Sequence, residues 1–402
     1  MAIGGLMAKA NRKNWLRNKG SAAGSKVTFL ELFFDLVFVF SISQLSHALA
    51  AHYTPLGAAE AALLTFAVWW VWIFTAWVTN WLDPEKMPVR GMLVVLMMLG
   101  LVLSASIPEA FGDKGLLFAG AHVAMQVGRS LFTTYAMTRV DRANTLNFVR
   151  ITAWLAVAGA FWIGGGLVEH EARLIAWMVA LAIEYAGPAA GFAVPGLGRS
   201  VPSDWDVSGA HMAERCALFV IICLGEAILV SGRTFSEMPI SGLTSIVFVT
   251  GFVGTVAMWW LYFRFGHGRA AHRIEHEETP GALARQAFTY GHIPILAGII
   301  VHAVAVEFMF SHPHETGDFG IAAAVLGGSG LFLVGNLWFK GATSGQMPLS
   351  HLAGLLLVVL LAFAAPFLEV YLLGILATLV LIIVAAWEYR SLSGTSAAPS
   401  LH

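Results

Sequence analysis

Long apolar runs recur from one end of this chain to the other, each close to twenty residues and divided by short polar turns. Their period gives neither the two-residue alternation of a β-barrel strand nor the short buried runs of a soluble sheet. A helix crossing about 30 Å of hydrocarbon needs about 20 such residues. The pattern predicts twelve membrane-spanning helices, near 29–50, 58–80, 89–107, 115–137, 147–164, 172–190, 210–231, 243–263, 284–308, 318–340, 349–366 and 368–388. Residues 349–388 form one almost continuous apolar stretch, where Pro366 and Glu369 alone mark a turn.

Composition agrees: 58% of the 402 residues are hydrophobic and 12% charged, with a mean hydropathy of +0.74. A soluble chain carries roughly a quarter charged residues. The expected fold class is therefore an all-α polytopic membrane protein.

Positive charges orient it. Of the 23 Lys and Arg, Lys114, Arg173 and Arg233 fall on one side and Arg129 and Arg215 lie within spans. The remainder face the other side, which the positive-inside rule makes cytoplasmic. Both termini are then cytoplasmic and the membrane is the bacterial inner membrane. The basic arm 1–27 precedes a run too long and too acidic for a signal-peptide core.

The Pro/Gly/Ser-rich stretch 191–209 reads as a cytoplasmic linker between six-helix halves at 28–190 and 210–390, followed by a tail at 391–402. Six spans per half make a parallel repeat, six plus six. Setting Glu31 against Glu214 aligns both halves at their starts, and WWVWIF at 69–74 answers WWLYF at 259–263.

The chemistry lies in polar residues that lipid rejects. The first span carries Glu31 and Asp35 on one helix face, then Gln44. At ~1.5 Å per residue Asp35 is only about 9 Å beyond the start of its span. The fourth span carries His122, Gln126, Arg129 and Thr133 as a stripe, with Arg129 at a depth to meet Asp35 or Glu31. The seventh adds His211, Glu214, Arg215 and Glu226. These residues suggest a charged cavity at the junction of spans one, four and seven, with Asp35 and Glu226 as coupling groups and Arg129 and Arg215 as their partners. Structural ion pairs fixing helix register would need the same residue types.

Softer candidates are Glu184 and Tyr185, the proline-broken ninth span with His292, Pro294 and His302, and Lys340, for which snorkelling is the ordinary account. The 264–283 loop holds His267, His272 and His276, a weak metal pattern better read as a charged turn. Cys216 and Cys223 read as small core residues. No GxxxxGK[ST] loop is present. The expected partners are the lipid bilayer and an ion or small solute, without nucleic acid, cofactor or metal; a homo-oligomer is compatible.

The run FLELFFDLVFVFSISQLS at 29–46, with HMAERCALFVIICLGEAIL at 211–229, resembles the bacterial low temperature requirement A membrane protein family. The resemblance spans roughly 25–390 and implies many membrane spans and a link to growth in the cold. It marks Glu31, Asp35, Gln44, His211, Glu214, Arg215 and Glu226 without assigning them roles. The first span also resembles the first-helix F-S-D-x-V-F motif of a potassium channel family with duplicated six-span units, although the serine between Phe34 and Asp35 is missing. That similarity would make Ser41, Gln44 and His47 pore-lining. Expectation therefore favours secondary transport, with a channel, a structural or sensing protein of the membrane, and a membrane enzyme as alternatives.

Overall fold

A computed structural model describes residues 15–17, 26–140, 142–201, 207–264, 273, 277 and 280–393. Twelve long helices are found among these residues, and no strand beyond two isolated bridges. They are α1 Phe29–Ala51, α2 Pro55–Trp81, α3 Met87–Ser106, α4 Gly115–Met137, α5 Arg142–Gly166 and α6 His170–Ala189, then α7 Gly209–Glu237, α8 Gly242–Phe263, α9 His292–Ser311, α10 Phe319–Ser344, α11 Leu349–Ala364 and α12 Val370–Ser393. Ten of the described helical stretches are long and apolar enough to cross a membrane; α4 and α6 are not among them. Helix is the only repeated structure that hides its backbone polar groups in lipid within one segment, which is why so apolar a chain takes this form. The protein is an all-α polytopic membrane protein.

Helix starts follow local chemistry. Thr28 and Glu31 form a reciprocal capping box on α1: the Thr28 amide donates to Glu31 Oε2 at 2.9 Å and the Glu31 amide to Thr28 Oγ1 at 3.3 Å. Ser241 and Thr244 do the same for α8. Asp318 Oδ1 caps α10 through the Ile321 amide at 2.9 Å. The helix ends at Gly345, in the left-handed conformation glycine accepts (φ 71°). The last two spans part where expected, through a short 3-10 turn Ala365–Phe367 around Pro366.

The fifth span is longer than its apolar core, because its polar first turn stays helical from Arg142. The ninth begins earlier than its apolar run, as a five-residue helix Pro280–Ala284 and a π-helical turn Arg285–Tyr290 ahead of α9. Pro294 lacks the N–H that would bond four residues back, so the widened turn sits where the ladder is already interrupted.

Two compact units emerge, one of Met1–Ala48, Pro55–Arg215 and Glu277–Ala282, the other of Leu49–Thr54, Cys216–His276 and Leu283–His402. In the first, α2 is the central element: Trp69, Trp70 and Trp72 on it are fully buried, and it packs on α4 and α6. The 191–201 part of the proposed linker is a built turn, with Trp154 Nε1 donating to the Ala193 carbonyl at 3.0 Å and Arg150 Nε to that of Leu197 at 2.8 Å. Arg173, assigned to the outer side by the charge distribution, is buried and donates to the Ala110 and Val168 carbonyls. In the second unit α9 and α10 meet backbone to backbone. A Cβ on Gly298 would lie 2.5 Å from the Phe332 nitrogen, and one on Gly335 2.6 Å from the Ile295 nitrogen.

Most of the basic arm, residues 202–206, the histidine-bearing 265–272 and 274–276 and the tail beyond 393 lie outside the described residues.

Candidate functional site

The capping residue Glu31 is also the hub of an ionic network in the first unit. Its side chain is buried at 0% exposure. Oε1 accepts from His211 Nε2 at 2.9 Å, and Oε2 accepts from Arg17 Nη2 at 3.0 Å and from the Thr28 hydroxyl at 3.0 Å, besides the Thr28 amide. His211 Nδ1 in turn accepts from Asn80 Nδ2 at 3.2 Å. The Asn80 amide bridges Ser208, donating to its carbonyl at 2.9 Å and accepting from its amide at 3.0 Å. These roles place the His211 proton on Nε2. Arg17 comes from a short strap, Trp15–Arg17, whose backbone pairs with Trp81 and Asp83, and its Nε donates to the Thr79 carbonyl at 2.9 Å. Every polar atom of Glu31 is satisfied.

One turn along α1, Asp35 is different. It is fully buried, and its Oδ1 accepts from Arg215 Nη2 and from Trp72 Nε1, both at 2.8 Å. Its Oδ2 has no hydrogen-bond partner among the described residues, and neither do Nε and Nη1 of the buried Arg215. The guanidinium lies over the Trp72 ring, 5.4 Å from its centroid. A buried polar atom left unpaired costs about 1–3 kcal/mol. This pair thus carries an uncompensated demand for one donor and two acceptors.

The α4 stripe follows other partners. Arg129, buried, donates to the Val71 carbonyl at 3.0 Å, to Thr75 Oγ1 at 2.9 Å and to Gln126 Oε1. His122 Nε2 meets Glu184 Oε1 at 3.1 Å, and Trp162 Nε1 donates to the same oxygen at 3.2 Å. His122 Nδ1 and Gln126 Nε2 are without partners among the described residues.

The expected pairing of Asp35 with Arg129 is therefore corrected. No hydrogen bond or ion pair joins Arg129 to Asp35 or Glu31; α2 takes Arg129 through Val71 and Thr75, while Trp72 of the same helix turns to Asp35. Depth along a helix fits either arginine, and helix rotation decides between them. The structure brings spans one, two and seven together at Glu31 and Asp35, spans two and four at Arg129, and spans four, five and six at Glu184. Glu214 is half-buried and accepts from the Val27 amide at 3.1 Å. Gln44 is half-buried, and Glu226 is half-buried in the second unit, without a hydrogen bond or ion pair to a described residue.

Residues that sequence reasoning did not single out include Arg17, Trp72, Thr75 and Asn80. The capping-box spacing of Thr28 and Glu31 was a readable signal for one of the contacts. In the second unit Lys340 does not snorkel. It is buried, its Nζ donating to Glu388 Oε1 and Oε2 at 2.7 and 2.8 Å and lying 3.4 Å from His351 Nε2. Buried His292 Nε2 accepts from the Tyr262 hydroxyl at 2.7 Å while its Nδ1 donates to the Ala287 carbonyl at 3.0 Å.

Helices that cross a membrane and bury hydrogen-bonded carboxylates, arginines and imidazoles define a polytopic membrane protein with an ionisable interior. The sequence pattern of the bacterial low temperature requirement A protein (LtrA) family matches residues 26–386, and the chain belongs to that family. It is similar to an uncharacterized protein of Rhizobium meliloti (strain 1021), 47% identical over 389 residues that make up 96% of this chain and 94% of the relative. No solved structure matches it.

Proposed function

We propose that this protein is a secondary transporter of an ion or small solute, in which Asp35, held by Arg215 and Trp72, is the coupling group. The observation that carries this reading is the contrast between two carboxylates one helical turn apart. Glu31 has a donor for every lone-pair direction it needs and is fixed in place. Asp35 has one oxygen idle and faces an arginine with two idle nitrogens, all of them buried. Ionisable groups kept inside a membrane at this cost commonly mark an ion or proton pathway. A pair bonded through a single oxygen can also be opened with fewer losses than the Glu31 network.

The transporter sits in the bacterial inner membrane with both termini in the cytoplasm, a reading supported by the distribution of Lys and Arg. Its halves are a six-plus-six parallel repeat, supported by the alignment of Glu31 with Glu214 and by an even number of spans in each half. The sequence carries no GxxxxGK[ST] loop, so an ATP-driven mechanism would need a partner subunit, and the reading favoured is a gradient-driven one. We read the family's description, low temperature requirement, as placing the protein's role in growth in the cold.

The channel reading has less support: Ser41, which it would make pore-lining, is buried and bonded to Ser104 at 2.5 Å. A structural brace is favoured by the Glu31 network alone, which is saturated and has no atom to offer a substrate.

The test is flux in proteoliposomes over a panel of ions and solutes under pH, voltage and ion gradients. The parent should move at least one panel member, and the charge-neutral double variant Asp35→Asn/Arg215→Gln should lose gradient-driven movement. A folded parent that moves nothing under any gradient sinks the transport reading.

A further inference from the structure

The atoms left idle beside Asp35 have a chemical signature. Arg215 Nε and Nη1 are donors in want of acceptors, and Asp35 Oδ2 is the lone idle acceptor of the pair. A proton added to Oδ2 changes both sides of that balance. The carboxylate becomes a neutral acid, the charge pairing with Arg215 is lost, and Oδ2 becomes a third donor. The groups acting on Asp35 are Arg215 from α7, the Trp72 indole from α2 and Glu31 on its own helix. Glu31 is already held by Arg17 and His211, so its charge is committed elsewhere. Protonated Asp35 therefore leaves one uncompensated positive charge in a buried place ringed by hydrogen-bond donors.

We propose that Asp35 and Arg215 form a binding site for a small monovalent anion that enters together with a proton. The proton goes to Asp35 Oδ2 and the anion accepts from Arg215 Nε or Nη1 and from the new O–H. The ion pair is replaced by a neutral acid and a guanidinium–anion pair, so total charge in the site is unchanged. Departure of the anion returns the proton and restores the pair. This rests on the transport reading above and names its cargo class: anion and proton moving in the same direction. Chloride, nitrate and a short carboxylate share the required chemistry, a single charge and lone pairs for N–H donors.

The experiment uses the full chain in detergent, with bulky gluconate as background salt, and reads thermal midpoint against added chloride, nitrate or acetate at pH 5.5 and pH 8. At least one anion should stabilise the parent at the lower pH and not at the higher. One linked proton makes its apparent affinity change by about tenfold per pH unit over the titrating range. In Asp35→Asn the arginine lacks its counter-charge at every pH, so the same anion should stabilise that variant equally at both. Asp35→Asn/Arg215→Gln, which removes both charges, should show no anion effect. If Asp35→Asn does not fold, the parent's pH dependence and the double variant decide. A parent indifferent to all three anions at both pH values overturns the proposal, as does an anion effect that survives in the double variant. Flux separates the two readings. Movement of some other solute without anion dependence overturns the anion site and leaves transport standing. Acid-dependent anion binding with no flux keeps the site and removes transport.

Discussion

Glu31 and Glu226 show how little a residue type says about its duty inside a membrane. Glu31 accepts four hydrogen bonds and joins an arginine and a histidine, whereas Glu226 has none to a described residue. Removing one partner of a buried ion pair costs about 3–5 kcal/mol, because the other charge stays behind. Glu31→Ala should therefore lower the thermal midpoint in detergent steeply, and Glu226→Gln should leave it nearly unchanged. Lys340 and Glu388 offer a matched test. Lys340→Met alone should be strongly destabilising, while Lys340→Met/Glu388→Leu should recover most of the loss, an interaction that a double-mutant cycle of thermal midpoints would resolve. An additive pair would mean that the two charges do not support one another. These partners were only partly legible. Lys340 and Glu388 lie at the ends of the tenth and twelfth spans and His351 at the start of the eleventh, so all three share a depth. Depth, however, also admitted the pairing of Asp35 with Arg129, which is not formed. One sequence gives depth and leaves rotation about the helix axis open.

At the scale of elements the chain was readable, because the bilayer fixes a minimum length and forbids exposed backbone. All twelve helices stand near their expected places, including the break at Pro366. Missed were features that do not change hydropathy: the Trp15–Arg17 strap, which lies in a polar arm, and the π-helical turn Arg285–Tyr290. The contact of α9 with α10 was visible only as glycines. Without a hydrophobic drive between helices in lipid, close packing supplies the association, and small residues permit it. A side chain at Gly335 would overlap the Ile295 backbone. Gly335→Val should thus force the two helices apart at a cost of about 1–3 kcal/mol or more, seen as a lower thermal midpoint and faster proteolysis of the second unit. An unchanged midpoint would show that the helices can separate freely.

For the whole molecule, orientation is the open quantity that a simple measurement settles. Single cysteines at exposed turn positions, introduced after Cys216 and Cys223 are replaced, report the side they face. Those at Glu85 and Gln346 should react with an impermeant maleimide only when the cytoplasmic face is opened. Those at Asp113 and Glu237 should react in intact cells. The reverse pattern would invert every span, and a mixed one would remove a span from the count. The loss of even one early helix would also dissolve the six-plus-six arrangement.

The distance along the chain between partners sets a constraint on biogenesis. Arg17 is 14 residues from Glu31, so this partner is synthesised before the first helix, and the Thr79 and Trp81 carbonyls that hold it arrive with α2. His211 and Arg215 are each 180 residues beyond the carboxylates they meet. At about 5–20 residues per second, synthesis of the missing stretch takes on the order of 10–40 s. Over that interval Asp35 has Trp72 for company once α2 is made, but no counter-charge. The nascent first helix must wait beside the insertion machinery, hold its acid protonated, or retain water until α7 arrives. Slowing synthesis between the two should lengthen the time the first helix can be crosslinked to the translocation channel, and replacing Asp35 together with Arg215 should shorten it.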